Sequence, residues 1–130
     1  MRLYTILEKM ISKLGIDWII ESSTIDGWTV EKWHSGKMVQ TRYIRNDKIG
    51  WYDIPYMAGM AVSHKDYTFP VPFINTPVVL ASATGGTGIG LGTTTHIINN
   101  SKVKIHVSGS QSCKPDGAYD ISIIAIGKWK

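Results

Sequence analysis

Residues 17–33 read DWIIESSTIDGWTVEKW, and this stretch decides the fold. Two runs rich in aromatic and β-branched residues, 17–24 and 28–33, flank the pair Asp26-Gly27. An Asp-Gly pair favours the tight turn of a hairpin, because both central residues of such a turn take positive φ angles. The sequence therefore predicts that the two runs form antiparallel neighbours.

The same character continues on the C-terminal side of this hairpin. Short runs alternate between apolar and polar residues, as in an antiparallel sheet with one wet face, and Gly, Pro, Asn and Asp separate them. Val103, Ile105 and Val107, for example, alternate with two lysines and a histidine. Further strands are predicted at 37–45, 77–83, 93–99, 102–108 and 119–129.

Two stretches fit this pattern less well. Residues 49–61 carry aromatic residues, glycines and a proline with no clean period, which predicts an irregular loop with at most a short strand. Residues 67–73 alternate, but Pro70 and Pro72 cannot donate to a central ladder. That segment is expected to be an edge strand or an extended lead-in to the next strand.

The segment 3–14 is the one clear helix in the sequence. Leu3, Leu7, Met10 and Leu14 follow the spacing of a heptad seam, and Gly15 is placed to end the helix. An isolated helix of this length is only marginally stable in water, which means that its apolar stripe needs another surface to pack against. The partner is either the chain's own domain or identical helices in a parallel bundle, and the heptad spacing favours the bundle.

The last predicted strand supports self-association independently. Ile121 and Ile123 would face one side, while Ile124 and Ile126 would face the other. A small antiparallel protein has one core, so the second apolar face indicates a subunit interface. The predicted fold is mostly β, an antiparallel six- to eight-stranded β-sandwich over residues 16–130 behind an oligomerisation helix at 1–15.

Composition excludes several classes of protein. The 130 residues suit one domain, and the apolar runs are far too short to cross a membrane. The net charge of +4 comes from scattered basic residues, so neither nucleic-acid binding nor membrane insertion is predicted. The N-terminal segment carries charges and lacks a cleavage site, unlike a signal peptide. The single Cys113 cannot form an internal disulfide.

No catalytic, cofactor or metal motif stands out. The glycine-rich segment 84–92 lacks the spacing and the following helix of a phosphate-binding loop. The carboxylates lie mostly in turns, and Cys113 has no adjacent base, so we expect no enzyme activity. The histidines are far apart in sequence, which predicts no metal site within one chain; a trimer axis could still gather three copies of one histidine.

Aromatic residues give the best indication of a ligand. Trp51, Tyr52, Asp53 and Tyr56 cluster in the least regular stretch of the chain. Aromatic faces stack on the C–H surfaces of sugars, and a nearby carboxylate accepts hydrogen bonds from hydroxyl groups. We therefore predict a saccharide site at these four residues. The alternative is that the rings close the end of the sandwich.

The sequence also resembles a known group of proteins. The residues that carry the resemblance are Gly27, Trp28, Thr29, Lys32, Trp33 and, one position early, Gly36, then Phe69, Phe73, Pro77, Val79, Ala125, Ile126 and Gly127. With the first set, the hairpin looks like a segment of C-terminal modules in tail-fibre or minor structural proteins of phages and prophages from Gram-positive bacteria. With the second set, the second half is similar to H-type lectin domains.

The resemblance implies a role in a virion. H-type lectin domains are six-stranded β-sandwiches that form trimers and bind sugars of the N-acetylgalactosamine type. The expectation is a homotrimeric receptor-binding module of a phage tail or fibre, exposed to the host, that recognises a cell-surface saccharide without cleaving it and contacts other tail proteins. A purely structural virion protein, such as a fibre cap or trimerisation domain, is the alternative, and a tail glycosidase is a third possibility.

Overall fold

A computed structural model describes residues 2–50, 52–53, 60–85, 92–110 and 118–130. The chain begins with one helix, α1 (Leu3–Lys13), one residue shorter than predicted. Gly15 follows it with a φ of +69°, a left-handed conformation that favours glycine and ends the helix. No residue of α1 is buried. The helix therefore does not bury its apolar stripe against its own domain.

The strands form two antiparallel sheets, which confirms the predicted β-sandwich. The five-stranded sheet has the order β1-β2-β3-β9-β6, and the four-stranded sheet has the order β4-β5-β8-β7. In chain order the strands are β1 (Ile19–Ile25), β2 (Trp28–Trp33), β3 (Lys37–Lys48), β4 (Tyr52–Asp53), β5 (Met60–Thr68), β6 (Val78–Thr84), β7 (Gly92–Asn99), β8 (Lys102–Ser110) and β9 (Ala118–Lys128).

The predicted first hairpin is confirmed. Ile25 lies opposite Trp28, and the turn between them consists of Asp26 and Gly27 with φ angles of +50° and +79°. Positive φ at both positions is the feature for which an Asp-Gly pair is suited. The tight turn fixes the register, so Trp28 and Val30 point into the core.

The core lies between the two sheets. Each sheet contributes its inward-facing residues, and all of them are nearly inaccessible to solvent. The ring of Phe69 meets those of Trp28 and Phe73 edge-on, with centroids 5.5 and 5.3 Å apart. The main members are Trp28, Val30, Met38, Tyr67, Phe69, Phe73, Val79, Val103, Ile105, Val107, Tyr119, Ile121, Ile123 and Ala125.

The segment between β5 and β6 is an extended lead-in, one of the two predicted alternatives. Gln40, completely buried in β3, donates to the carbonyl of Val71 at 2.6 Å and accepts from its N–H at 3.3 Å. Pro70 and Pro72 flank Val71. The amide side chain thus satisfies a backbone segment whose prolines cannot join a ladder.

Gly127 lies at a close approach between β9 and this lead-in. A Cβ atom added to it would come within 2.6 Å of Cδ1 of Phe73. The ring of Phe73 therefore packs directly on the backbone of β9. This contact gives a physical reason for the phenylalanine and the glycine in the sequence pattern quoted above.

The five-stranded sheet has two distinct ends. Its near end is where α1 joins: there the carbonyl of Trp18 accepts from the N–H of His34, and Lys37 lies opposite Lys128. Its far end holds the Asp26-Gly27 turn and the paired residues Lys48 and Ala118. With strands of this length, the two ends are roughly 20–35 Å apart.

Three of the four crossings between the described strands of the two sheets lie at the far end, and the fourth, the lead-in from Thr68 to Val78, lies toward the near end. The chain leaves the five-stranded sheet after Lys48 and after Thr84, and it returns at Ala118. On the four-stranded sheet these crossings meet strand ends that lie side by side, since Met60 pairs with Ser110 and Gly92 with Ser108. These three segments are thus anchored away from α1.

Candidate functional site

The outward surface of the five-stranded sheet carries the clearest exposed apolar patch on the sandwich. Ile126 lies opposite Val39 on one side and Val78 on the other, and Leu80 lies opposite Ile124. Val78 and Leu80 are 65% and 63% exposed, although strands ordinarily place such residues inward. We call these five residues, Val39, Val78, Leu80, Ile124 and Ile126, the apolar face.

The apolar face confirms that β9 is apolar on both sides, as its sequence predicts. Ile121 and Ile123 are buried in the core, whereas Ile124 and Ile126 lie on the opposite surface. The subunit interface that was inferred from this pattern stays a prediction. The patch is in the right place for one, because apolar side chains from three adjacent strands form it.

A polar groove continues from the apolar face across β9 and β3. Its volume is about 440 Å³, and Thr29, Thr41 and Ser122 contribute to its lining. Tyr43, which is 62% exposed, stands beside it and donates from Oη to Oδ2 of Asp120 at 3.2 Å. The groove thus combines an exposed ring, hydroxyl groups and a carboxylate, which sequence analysis did not single out.

The carboxylate of Asp120 also has a structural role. Its Oδ1 accepts from the N–H of Asn46 at 2.8 Å. Asn46 has a φ of +54° and lies in a bulge, where the register between β3 and β9 shifts. Asp120 therefore stabilises an irregular backbone in addition to positioning the ring of Tyr43.

The predicted saccharide residues are only partly within the described chain. Trp51 and Tyr56 lie outside it. Tyr52 and Asp53 form β4, opposite Val62 and Ala61 respectively, and their backbone is described. The short strand agrees with the expectation for this stretch, while the ligand role of the four residues stays a prediction.

The predicted oligomerisation residues on α1 are exposed. Leu3 and Leu14 are 78% and 71% exposed, and Leu7 and Met10 are more than half exposed. A groove of about 320 Å³ separates the helix from the start of β1, with Leu7, Ile11, Trp18, Ile19 and Ile20 among its lining residues. The apolar stripe thus remains available to a partner.

Three tryptophans at the near end have cations or a histidine on their faces. Lys37 Nζ lies 3.7 Å from the ring centroid of Trp33, and Lys130 Nζ lies 4.9 Å from that of Trp129. The ring of Trp18 stacks on His34 with centroids 4.0 Å apart. Each of the three half-buried rings thus has a face in contact with a side chain of the same chain, which stabilises the packing at the near end.

A polar cluster joins the two sheets. Asp47 of β3 accepts from Lys65 Nζ at 2.7 Å and from Tyr67 Oη at 2.8 Å, both on β5. Burial, followed by the hydrogen bond to the Asp47 carboxylate, raises the pKa of Tyr67 above its usual range. The tyrosine therefore keeps its proton and holds the carboxylate in place.

The outward surface of the four-stranded sheet is polar and basic, unlike the apolar face. Buried Val103, Ile105 and Val107 alternate with residues that point outward, and His64 of β5 lies directly opposite His106 of β8. We call this surface the basic face; its outward-facing charged and imidazole groups are His64, Asp66, His96, Lys102, Lys104 and His106. Sequence analysis did not bring these histidines together.

Two further observations apply only to the described part of the chain. Within it, no group of three or more His, Cys, Asp or Glu side chains has the arrangement of a metal site. Among the same residues, no helix has the length and apolar character needed to cross a membrane.

The architecture defines a class of protein, a two-sheet antiparallel sandwich behind a helix that buries none of its residues. A solved structure of an N-truncated R1-type pyocin tail fibre is similar to this chain, with a TM-score of 0.61 and 17% sequence identity. The match covers 92% of this chain and 94% of that chain. It confirms the predicted tail-fibre resemblance at the level of the fold. The H-type lectin detail stays a prediction.

Sequence comparisons add no family to this result. No protein-family model matches the chain. No curated protein matches it either.

Proposed function

We propose that the protein is a homotrimeric receptor-binding module of a phage tail or fibre, and that it recognises a host cell-surface saccharide without cleaving it. The observation that carries this proposal is the pairing of a tail-fibre fold with an exposed heptad stripe on α1. Other tail proteins are the remaining partners in such an assembly. The site of action is the virion surface that faces the host.

Self-association is supported by two separate surfaces. The stripe of α1 has the spacing of a parallel bundle, in which apolar residues of identical helices fill one another's grooves. The apolar face lies on the sandwich itself and would be covered by a neighbouring copy. Burying both surfaces in one closed symmetric assembly removes the exposed apolar residues from water without an open-ended chain of contacts.

The arrangement of the ends supports a receptor at the far end. The helix bundle would extend from the near end, while Asp53 and Met60, which flank residues 54–59, lie at the far end, where three of the four crossings between the sheets are anchored. Tyr52 and Asp53, the two predicted ligand residues whose backbone is described, thus belong to the part of the sandwich that is away from the helix. Three copies would present three such regions together, and simultaneous weak contacts give a far higher avidity than one.

The oligomeric state is the first test. We expect the wild-type chain to elute as a trimer in size-exclusion chromatography with light scattering, and Leu7→Asp to shift it toward monomer because a charge enters the bundle seam. Lys9→Asp, a charge change at an exposed helix residue outside the seam, is the matched control. A monomeric wild-type chain would refute the trimer.

Saccharide recognition is tested on purified host cell-wall polysaccharides. We expect the wild-type trimer to bind and Trp51→Ala or Asp53→Ala to weaken binding at least tenfold, with no release of reducing sugar on prolonged incubation. Tyr43→Ala tests the polar groove beside Asp120 in the same assay. Loss of binding only in Tyr43→Ala would move the saccharide site to that groove, and release of reducing sugar would show an enzyme.

A structural virion protein without its own ligand is the second candidate. The covered faces of Trp18, Trp33 and Trp129 favour it, because those aromatic residues serve packing within the chain. This candidate predicts a trimer that binds no host polysaccharide. It is distinguished from the first candidate by the binding assay alone, since both require the same assembly.

A further inference from the structure

The basic face contains a pair of histidines whose spacing suits one metal ion. His64 and His106 are directly opposite each other on the adjacent antiparallel strands β5 and β8. Their ring centroids are 5.6 Å apart, and the rings are tilted by 58°. Side chains at opposed positions of antiparallel strands project in the same direction, so both imidazoles extend from the same surface.

The distance agrees with two imidazoles on one ion. Zn–N bonds of about 2.1 Å, extended by the distance from each nitrogen to its ring centre, place two coordinated imidazole centroids roughly 5 to 6 Å apart. The observed 5.6 Å lies within that interval. Tetrahedral coordination fixes the N–metal–N angle and leaves each ring free to rotate about its metal–nitrogen bond, so it accommodates the observed tilt.

A carboxylate lies on the same surface as the histidine pair. Asp66 follows His64 by two residues on β5 and lies opposite Lys104 of β8, and its Oδ1 is 4.0 Å from Lys104 Nζ. The carboxylate thus offsets the charge of the lysine that precedes His106 on the same face of β8.

We propose that His64 and His106 together bind one divalent transition-metal ion of the Zn²⁺, Ni²⁺ or Cu²⁺ type on each chain, with water in the remaining positions. Imidazole suits these ions, while Mg²⁺ and Ca²⁺ prefer oxygen ligands. Two protein ligands and open positions make this an exchangeable surface site rather than a structural one. The proposal is independent of the receptor and of the trimer.

The site is not visible in the sequence because it depends on strand register. The two histidines are distant along the chain, and neither has a ligand at the short spacing typical of a metal motif. A shift of one residue between β5 and β8 would turn one imidazole into the sandwich. The register between β5 and β8 thus brings His64 and His106 together.

The test is a calorimetric titration of ZnCl₂ into the untagged full chain at pH 7.5. We expect one Zn²⁺ per chain, and at least tenfold weaker binding in His64→Gln and in His106→Gln. His34→Gln is the matched control, since its ring stacks on Trp18 at the other sheet, and its affinity should equal that of the wild type. MgCl₂ should give no heat beyond dilution.

Three outcomes would overturn the proposal. The first is absence of Zn²⁺ binding by the wild type, and the second is unchanged affinity in both glutamine variants. The third is a stoichiometry of one ion per three chains, which indicates an axial site built from one histidine of each copy. Thermal melting in EDTA establishes that the variants are folded, and the Zn²⁺-dependent rise in melting temperature should be present only in the wild type and His34→Gln.

Discussion

The two sheets share one core but differ sharply on their outer surfaces. The five-stranded sheet exposes Val78, Leu80 and Ile126, whereas the four-stranded sheet exposes His64 and His96 on its basic face. In both sheets, apolar side chains at alternate positions of the strands point into the shared core. Their inner surfaces therefore define the fold, while among the described residues their outer surfaces differ, one being apolar and the other polar and basic.

The largest expected effect comes from a substitution that leaves a cavity in the shared core. Ile121 of β9 is completely buried. Ile121→Ala should lower the free energy of unfolding by about 2–5 kcal/mol, because the deleted groups leave a cavity between the sheets. Thr94→Ala, at an exposed position of β7, should change it by less than about 0.5 kcal/mol. Urea denaturation measures both, and similar effects would contradict this division between inner and outer surfaces.

A second substitution tests the contact between β9 and the lead-in. Gly127→Ala should cost about 1–3 kcal/mol, because the ring of Phe73 must move away from the added methyl group. Ser122→Ala, at an exposed position of the same strand, is the control. An unchanged denaturation midpoint in Gly127→Ala would show that the ring shifts without loss of packing.

The contrast between the outer surfaces is tested by adding the same charge to each. Leu80→Lys should weaken self-association at least about tenfold, or roughly 1.4 kcal/mol, because an ammonium group enters the apolar face. Thr94→Lys adds a lysine to the basic face and should leave association unchanged. Sedimentation velocity over a dilution series measures both, and equal effects would refute the assignment of the interface.

The smallest effect concerns the link between the sheets through Tyr67. The raised pKa means that the unfolded chain loses this proton above pH 10 while the folded chain keeps it. The free energy of unfolding therefore falls as the pH rises above 10, with a slope of up to about 1.4 kcal/mol per pH unit. Tyr67→Phe should lose about 1 kcal/mol at pH 7 through the missing hydrogen bond to Asp47.

The pH dependence of the difference checks the cause. Melting experiments from pH 8 to pH 11.5 should show the wild type losing stability more steeply than Tyr67→Phe, so that the gap between them narrows. Other tyrosines and lysines titrate in both proteins and cancel in the comparison. Parallel curves would show that Tyr67 ionises equally in the folded and unfolded chains.

Most strands are predictable from local alternation, and one is not. The hairpin around Asp26-Gly27 and the alternating strand β8 follow from residue pattern and turn chemistry. Strand β5 was missed, because Ser63 and Lys65 occupy positions opposite Val107 and Ile105, where an apolar residue is normally expected. Ser63 is nonetheless buried, and pairing with β8 determines the strand.

The candidate sites show the same limit. The outward position of Ile124 and Ile126 follows from the sequence, since an antiparallel strand in a single-core protein cannot bury both sides in that core. The contact of Gln40 with Val71, the groove beside Tyr43 and the histidine pair all join residues that are distant along the chain. Such pairs depend on tertiary register, which single-sequence patterns do not encode.

The position of β1 has a mechanical consequence. This edge strand connects directly to α1 at the near end and pairs with β2 from Ile19 opposite Trp33 to Ile25 opposite Trp28. A tension between the helix and a target held at the far end would act along the strand. The interstrand hydrogen bonds would then bear the load together in shear, instead of opening one after another from the end. A load that reached the sandwich through α1 would thus act along β1, perpendicular to its hydrogen bonds with β2.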